Sequence, residues 1–330
     1  TENDRIAIVT YAGSSGVALP GTFGHDKATI LSAIDRLSSG GSTNGGAGID
    51  LAYREAAAGF VEDGVNRVIL ATDGDFNVGL SSEGDLVRLI EEKRESGIFL
   101  SVLGFGRGNL QDSKMEKLAD HGNGNYAYID TVREARKVLV TEAGATLVTI
   151  AKDVKIQVEF NPARVKAYRL IGYENRALRA EDFANDGKDA GEIGAGHTVT
   201  ALYEVVPVGV EIDLPSIDPL KYQPAPQTAS SSPELLTVKL RHKAPDGDTS
   251  RLRSVAVVAP EPGAEASPNL RFASAVASFG MLLRESEHRG SASWNQVIDL
   301  ARSAVGDDPD GHRTEFLVLA RNAEQLSTIQ

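Results

Sequence analysis

Two aspartates follow an apolar run in the stretch Leu70 to Gly79, LATDGDFNVG. Val68, Ile69 and Leu70 read as the end of a buried strand, so the chain delivers Asp73 and Asp75 into a loop at a strand's carboxyl end. Carboxylates so placed hold a metal, carry out acid–base or nucleophilic chemistry, or cap the next helix. Asp73, Asp75 and Asn77 satisfy the opening D-x-D-x-N of a calcium loop. The match then fails, because Val78 stands where that loop needs glycine and Gly84 where it needs glutamate. A strand followed by Asp-x-Asp also suits a Mg²⁺-dependent phosphohydrolase, with one carboxylate as nucleophile and the next as acid–base.

Other candidates read as structural. Asp182, Asp186, Asp189 and Glu192 make an acidic loop, expected to be solvated, with a second cation site as the alternative. His197 is expected to open a strand, and His121, in DHGNGN, to sit in a turn with no visible partner. Ser, His and Asp are present without a G-x-S-x-G elbow, so nothing marks a nucleophilic serine. GFGRG at 104–108 lacks the third glycine of a dinucleotide fingerprint and reads as a turn. Trp294 is expected to anchor packing in the terminal helical region.

The elements that must position Asp73 alternate in type. Ile6 to Tyr11 is apolar and β-branched, a strand, with Gly16 to Leu19 as its hairpin partner. Ile30, Leu31, Ile34 and Leu37 recur at helical spacing, and a second helix over Ala47 to Gly59 follows the glycine-rich GGSTNGG. Val65 to Thr72 is a strand, Ser82 to Ser96 a helix capped by Ser82 or Ser81, and Ile98 to Phe105 a buried strand. A short helix over 113–120, a strand over 125–129 and a long helix over 131–150 complete an α/β layer with a mostly parallel sheet. Ligands of such sheets bind beyond the carboxyl ends of the strands, where Asp73 lies. After about residue 150 the pattern changes to strands without crossover helices, at 154–160, 165–171, 198–206, 235–241 and 252–258, which suggests an antiparallel sheet or sandwich. Helical stretches at 271–287, 293–303 and 315–326 close the chain. The expected domains are therefore 1–150, 151–265 and 266–330.

Composition narrows the functions. With 41% hydrophobic and 24% charged residues the 330-residue chain can build a real core. A formal net charge of −12 argues against broad binding to nucleic acid or anionic membrane. There is no cysteine, which excludes disulfides, thiolate metal sites and cysteine nucleophiles. No apolar run reaches the roughly 18 residues of a membrane span. The chain enters a strand almost at once from Thr1, as a start within a domain would.

One resemblance organises these readings. GGSTNGGAGI at 40–49, followed by VILATDGDFN at 68–77, resembles a von Willebrand factor type A domain over about residues 1–150. Residues 172–205, beginning GYENRALRAEDFANDGKDAGEIG, resemble the C-terminal domain that accompanies type A domains in a bacterial YfbK-like family. The resemblance implies a Rossmann-like α/β domain with a β-rich second domain and a helical C-terminal part. It implies non-enzymatic protein binding at the cell envelope, through a metal-ion-dependent adhesion site built from three loops. Thr43 matches the family's threonine and Asp73 its final aspartate, with Mg²⁺ between them and a partner's acidic side chain completing the shell. Asp75 is implied to be a loop hydrogen-bonder, with Ser42 and Asn44 shaping the turn. The Asp-x-Ser-x-Ser loop and the strand before it are absent from the sequence, so Mg²⁺ binding by this chain is expected to be weak or absent. Ile6–Tyr11 and Val65–Thr72 would then flank a missing central strand. The expected outcomes are a retained upstream peptide, a strand donated within a domain-swapped oligomer, or a rearranged sheet. The rival reading resembles the haloacid dehalogenase superfamily, with Asp73 as nucleophile. Asn77 departs from that motif, and the late acidic pair Asp307-Asp308 follows a helical pattern instead of a strand.

Overall fold

The computed structural model describes residues 1–11, 16–38, 40, 45–62, 64–75, 82–108, 110–173, 177–211, 232–261 and 263–328. The chain opens with an antiparallel pair, β1 (Arg5–Thr10) and β2 (Gly16–Phe23), in register from Arg5↔Phe23 to Thr10↔Gly16 with two irregularities. Two helices follow, α1 (Lys27–Asp35) and α2 (Gly45–Ala58). Then come β3 (Asn66–Thr72), α3 (Glu83–Arg94), β4 (Ile98–Phe105), α4 (Asp112–His121) and β5 (Tyr126–Ile129). β3, β4 and β5 lie side by side and parallel, from Asn66↔Ile98 through Val102↔Tyr126 to Phe105↔Ile129.

The core of this layer is what its apolar periodicity dictates. Ile49 and Tyr53 from α2, Leu86 and Ile90 from α3, Met115 and Leu118 from α4 and Val68, Leu70, Leu100 and Val102 from the strands form one buried cluster. Removing a fully buried side chain such as Leu100 would leave a cavity costing about 2–5 kcal/mol. Ser82 caps α3, its hydroxyl accepting from the Asp85 N–H at 3.2 Å. Gly124 is required between α4 and β5, because a Cβ there would lie 1.8 Å from the Leu100 carbonyl oxygen.

β3 is covered unevenly. Val68, Leu70 and Thr72 are buried, whereas Ile69 is 41% exposed and Ala71 is also exposed. A parallel strand covered on both faces would bury both sets. Among the described residues β1 pairs only with β2, and β3 only with β4. The expected rearrangement, Ile6–Tyr11 paired directly with Val65–Thr72, is therefore not formed. Among the described residues neither strand takes a further partner, and α2 packs against both. Half-exposed backbone can be satisfied by water, so the open edges carry no hydrogen-bonding contradiction.

The long helix expected over 131–150 is broken. α5 (Val132–Arg136), capped by the Thr131 hydroxyl, passes into a wide turn over Lys137–Thr141, and α6 (Ala143–Leu147) follows. The wide turn is closed by the Glu142 N–H donating to the Lys137 carbonyl at 2.7 Å, five residues back.

Beyond it the strands are β6 (Thr149–Phe160), β7 (Val165–Ile171), β8 (Gly191–Gly194), β9 (Leu202–Pro207), β10 (Glu234–Lys243) and β11 (Arg251–Val258). They form a four-stranded sheet in the order β11-β10-β6-β8 and a separate antiparallel pair, β7-β9. β8 is too short and glycine-rich to read from pattern, and β9 begins four residues later than expected. Packing divides the chain into two compact units, one of residues 1–156, 181–198 and 240–253, the other of 157–180, 199–239 and 254–330. In the second unit α7 (Pro268–Leu283), α8 (Trp294–Arg302) and α9 (His312–Ser327) share a core of Ala275, Val297, Ile298, Ala301, Leu317 and Ala320. Trp294 meets Phe279 edge-on at 5.7 Å between ring centroids, the packing role expected of it.

Candidate functional site

The end of β3 is built to hold an aspartate at a fixed crest. The buried Thr72 hydroxyl accepts from the Gly74 N–H at 3.0 Å, and the Asp73 carbonyl accepts from the Gln111 N–H at 2.9 Å. The second contact ties the crest to the start of α4. Gly74 has φ +81°, and a Cβ there would lie 2.7 Å from the Gln111 Cβ and 3.1 Å from the Met115 Cγ. Only glycine fits that conformation and that space. Asp73 turns its Oδ1 back to accept from the Asp75 N–H at 3.0 Å, an Asx turn that orients the carboxylate. The Asp75 contribution to this turn is its backbone N–H.

A residue that sequence reading missed completes the crest. The Tyr11 hydroxyl, just beyond β1, donates to the Ala71 carbonyl on β3 at 2.5 Å. Burial pushes the Tyr11 phenol up; the Thr72 hydroxyl opposes this, and the Asp73 charge adds to it. Gly48 in the first half of α2 leaves room for Tyr11, since a Cβ at Gly48 would lie 2.4 Å from the Tyr11 Cβ. A lone tyrosine after a strand carries no local signal for this contact.

Thr43, Ser42 and Asn44 lie outside the described residues. Among the described residues no group of three metal-ligating His, Cys, Asp or Glu side chains comes together. Asp73 and Asp75 are hard oxygen donors of the right kind, but two carboxylates, one already engaged by a backbone N–H, do not make the six-oxygen shell of Mg²⁺. The described donor set alone does not fit a held metal ion.

The other candidates resolve into structural roles. The acidic loop is engaged by cations and hydroxyls. Asp186 accepts from the Ser250 hydroxyl at 2.5 Å and from Arg241 at 3.4 Å, and Asp189 pairs with Arg94 at 2.7 Å. The Lys155 ammonium donates to the Asp182 and Asn185 carbonyls. His121 ends α4 and does not sit in a turn, and it has a partner, its Nδ1 lying 2.8 Å from Glu91 Oε1 of α3. His197 lies in the turn after β8 and opens no strand, its N–H donating to the Gly194 carbonyl at 3.0 Å. The glycines at 106 and 108 both take positive φ after β4, as a turn demands. Asp308 caps α9, accepting from the Thr314 N–H at 2.8 Å and the Arg313 N–H at 3.0 Å.

The parallel β3-β4-β5 layer, the helices packed on it and the glycine-hinged aspartate at its crest define a von Willebrand factor type A domain, and residues 1–141 match the family of that description. Residues 145–326 match the family described as "Uncharacterized protein YfbK, C-terminal". The chain belongs to this YfbK family, and in it the two matched regions follow one another. It is 48% identical over 330 residues to "Uncharacterized protein YfbK" of Escherichia coli (strain K12), covering 99% of this chain and 56% of that protein. The chain thus spans little more than half the length of that relative. Among solved structures it is similar to a von Willebrand factor type A protein from Catenulispora acidiphila, at 16% identity and a TM-score of 0.44, covering 93% of this chain and 72% of that one. The conserved hypothetical protein BatB from Bacteroides thetaiotaomicron is similar at 24% identity and a TM-score of 0.35, covering 43% of this chain and 79% of that one.

Proposed function

We propose that this chain is a non-enzymatic protein-binding module whose Asp73 crest is one wall of a metal-dependent recognition site. The observation that carries the reading is the rigid presentation of Asp73 at the carboxyl end of a parallel strand within a type A domain. Thr43 supplies a second oxygen, and the rest of the metal shell comes from a loop that this sequence does not contain. A partner protein's carboxylate fills the remaining position, so the metal bridges two proteins. That β1 pairs only with β2 and β3 only with β4 among the described residues supports the same reading, in which the strand carrying the absent loop lies between them. That strand comes from a segment upstream of Thr1 or from a neighbouring chain in a swapped oligomer, and the working location is the cell envelope.

Calorimetric titration with Mg²⁺ tests the proposal. This chain alone should bind weakly or not at all, and tight binding by it would show that no third loop is needed. The full reading frame should bind, and Asp73→Ala should abolish that binding; an unchanged affinity would remove Asp73 from the site. The rival phosphohydrolase finds no support in the matched families. A screen of phosphomonoesters with Mg²⁺ should stay at background, and turnover lost on Asp73→Asn would restore the rival.

A further inference from the structure

At the other end of the parallel layer the first unit buries a carboxyl group among other carboxylates. Glu192 lies on β8, whose pairing with β6 runs through Ala151↔Ile193 and Val154↔Gly191. That places it opposite an irregular stretch of β6 where Asp153 takes φ +52°. The Asp153 carboxylate accepts from the Ala190 N–H at 3.1 Å and pairs with Lys243 of β10 at 2.7 Å. Asp189, three residues before Glu192, pairs with Arg94 of α3. Arg94 also donates to the His121 carbonyl and to Asn123 Oδ1, both at 3.2 Å, which brings the end of α4 and its Asp120 alongside. From β3, Arg67 donates to the Ser101 hydroxyl at 2.6 Å and the Thr149 hydroxyl at 2.8 Å.

The cluster leaves polar atoms unmatched. Among the described residues, Glu192 Oε1, Arg67 Nε and the Tyr53 hydroxyl are buried without hydrogen-bond partners. The charged and titratable groups of the surrounding elements are Arg67 on β3, Arg94 and Glu91 on α3, Asp120 and His121 on α4, Asp153 and Lys155 on β6, Asp189 beside β8, and Lys243 and Arg241 on β10. Lys243 already offsets Asp153, Arg94 offsets Asp189, Glu91 holds His121 and Arg241 holds Asp186. An ionised Glu192 would add a further negative charge beside Asp189, Asp153 and Asp120, opposed by Arg94, with its charge also felt at Arg67.

We propose that Glu192 is a proton-operated latch: protonated, it holds the 181–198 arm on the α3–α4–β6 surface, and ionised, it loosens that arm. Burial, reinforced by the charges of Asp189, Asp153 and Asp120, holds the Glu192 carboxyl well above its ordinary 4.5, against the opposing pull of Arg94. Burial pulls the Arg67 guanidinium down to about 10, while Glu192 and Tyr53 push it back up. For a carboxyl raised in the folded state, the favourable contribution is full below the ordinary value. It is lost as pH climbs from there through the raised one. The arm therefore loosens on the alkaline side.

The test is amide hydrogen exchange of this chain from about pH 5 to about pH 9, expressed as protection relative to the intrinsic rate at each pH. Protection of residues 181–198 should fall by up to about tenfold per pH unit between the ordinary carboxylate value and the raised Glu192 midpoint, and level off above it, while β4 amides hold theirs. Glu192→Gln, which mimics the protonated acid, should make the arm's protection independent of pH. The same fall in Glu192→Gln, or a flat profile in the unaltered chain, would overturn the latch. Should Glu192→Gln not fold, carbon-13 titration of the Glu192 carboxyl in the unaltered chain decides. A midpoint well above 4.5 supports the latch and one near 4.5 overturns it.

Discussion

Gly74 shows how one residue sets the geometry of the crest. Its positive φ and the 2.7 Å approach to the Gln111 Cβ leave no room for a methyl group. Gly74→Ala should therefore destabilise the chain by about 1–3 kcal/mol, from backbone strain and from displacement of α4. Urea unfolding would measure it, and a change under about 0.5 kcal/mol would show that the crest relaxes freely. Tyr11 is the complementary case, in which a phenol whose hydroxyl reaches across to β3 satisfies one carbonyl at the open edge. Neither Asp73 nor Asp75 stands alone at this crest, since the backbone of one donates to the carboxylate of the other.

At the scale of elements, caps decide where helices begin. Asp308, in the late acidic pair that follows a helical pattern, receives two backbone N–H groups at the start of α9. The little burial it has would raise its pKa, but the N–H groups of Thr314 and Arg313 hold the carboxyl below its ordinary 3.8. A depressed carboxylate contributes stability above its ordinary value and loses that contribution as pH falls through the folded one. Asp308→Ala should cost about 1 kcal/mol near neutral pH, and the difference should vanish in acid below the folded midpoint. Thermal melts of the two proteins across that range would show it, and a penalty that persists in acid would place the effect in packing and not in the ionised cap.

The whole molecule combines an acidic surface with unfinished sheet edges. Among the described residues β1 and β3 each pair along one edge only, and exposed Ile6 and Ile69 lie on the same strands. Edges of this kind invite pairing with a further strand. Sedimentation of this chain should show association that grows with concentration, held in check by mutual repulsion at a net charge of −12 and so strengthened by salt. A single monomeric species at every concentration and ionic strength would mean that the edges are protected by means other than pairing.

Local information was enough for the parts that rest on local physics. The alternation of β-branched runs with helical spacing placed β3, α3, β4 and the three C-terminal helices close to where they lie. The Asp73 loop at a strand end was legible because it is a short motif with its own geometry. The broken helix after Thr131 was not legible, since its residues suit a helix and only a wide turn closed over Lys137–Thr141 interrupts it. Nor was β8, a four-residue strand whose pairing depends on β6, some 40 residues earlier. The acidic loop read as solvated because its partners, Arg94, Arg241, Lys243 and Ser250, come from distant segments. Sequence thus determined which residue types could do chemistry and on which elements they stand. Tertiary structure alone decided that Asp73 is steadied by Gln111, that Tyr11 reaches Ala71, and that Glu192 is enclosed by other carboxylates. Each of these contacts joins residues remote in the chain, and their electrostatics follow from burial that no local pattern records.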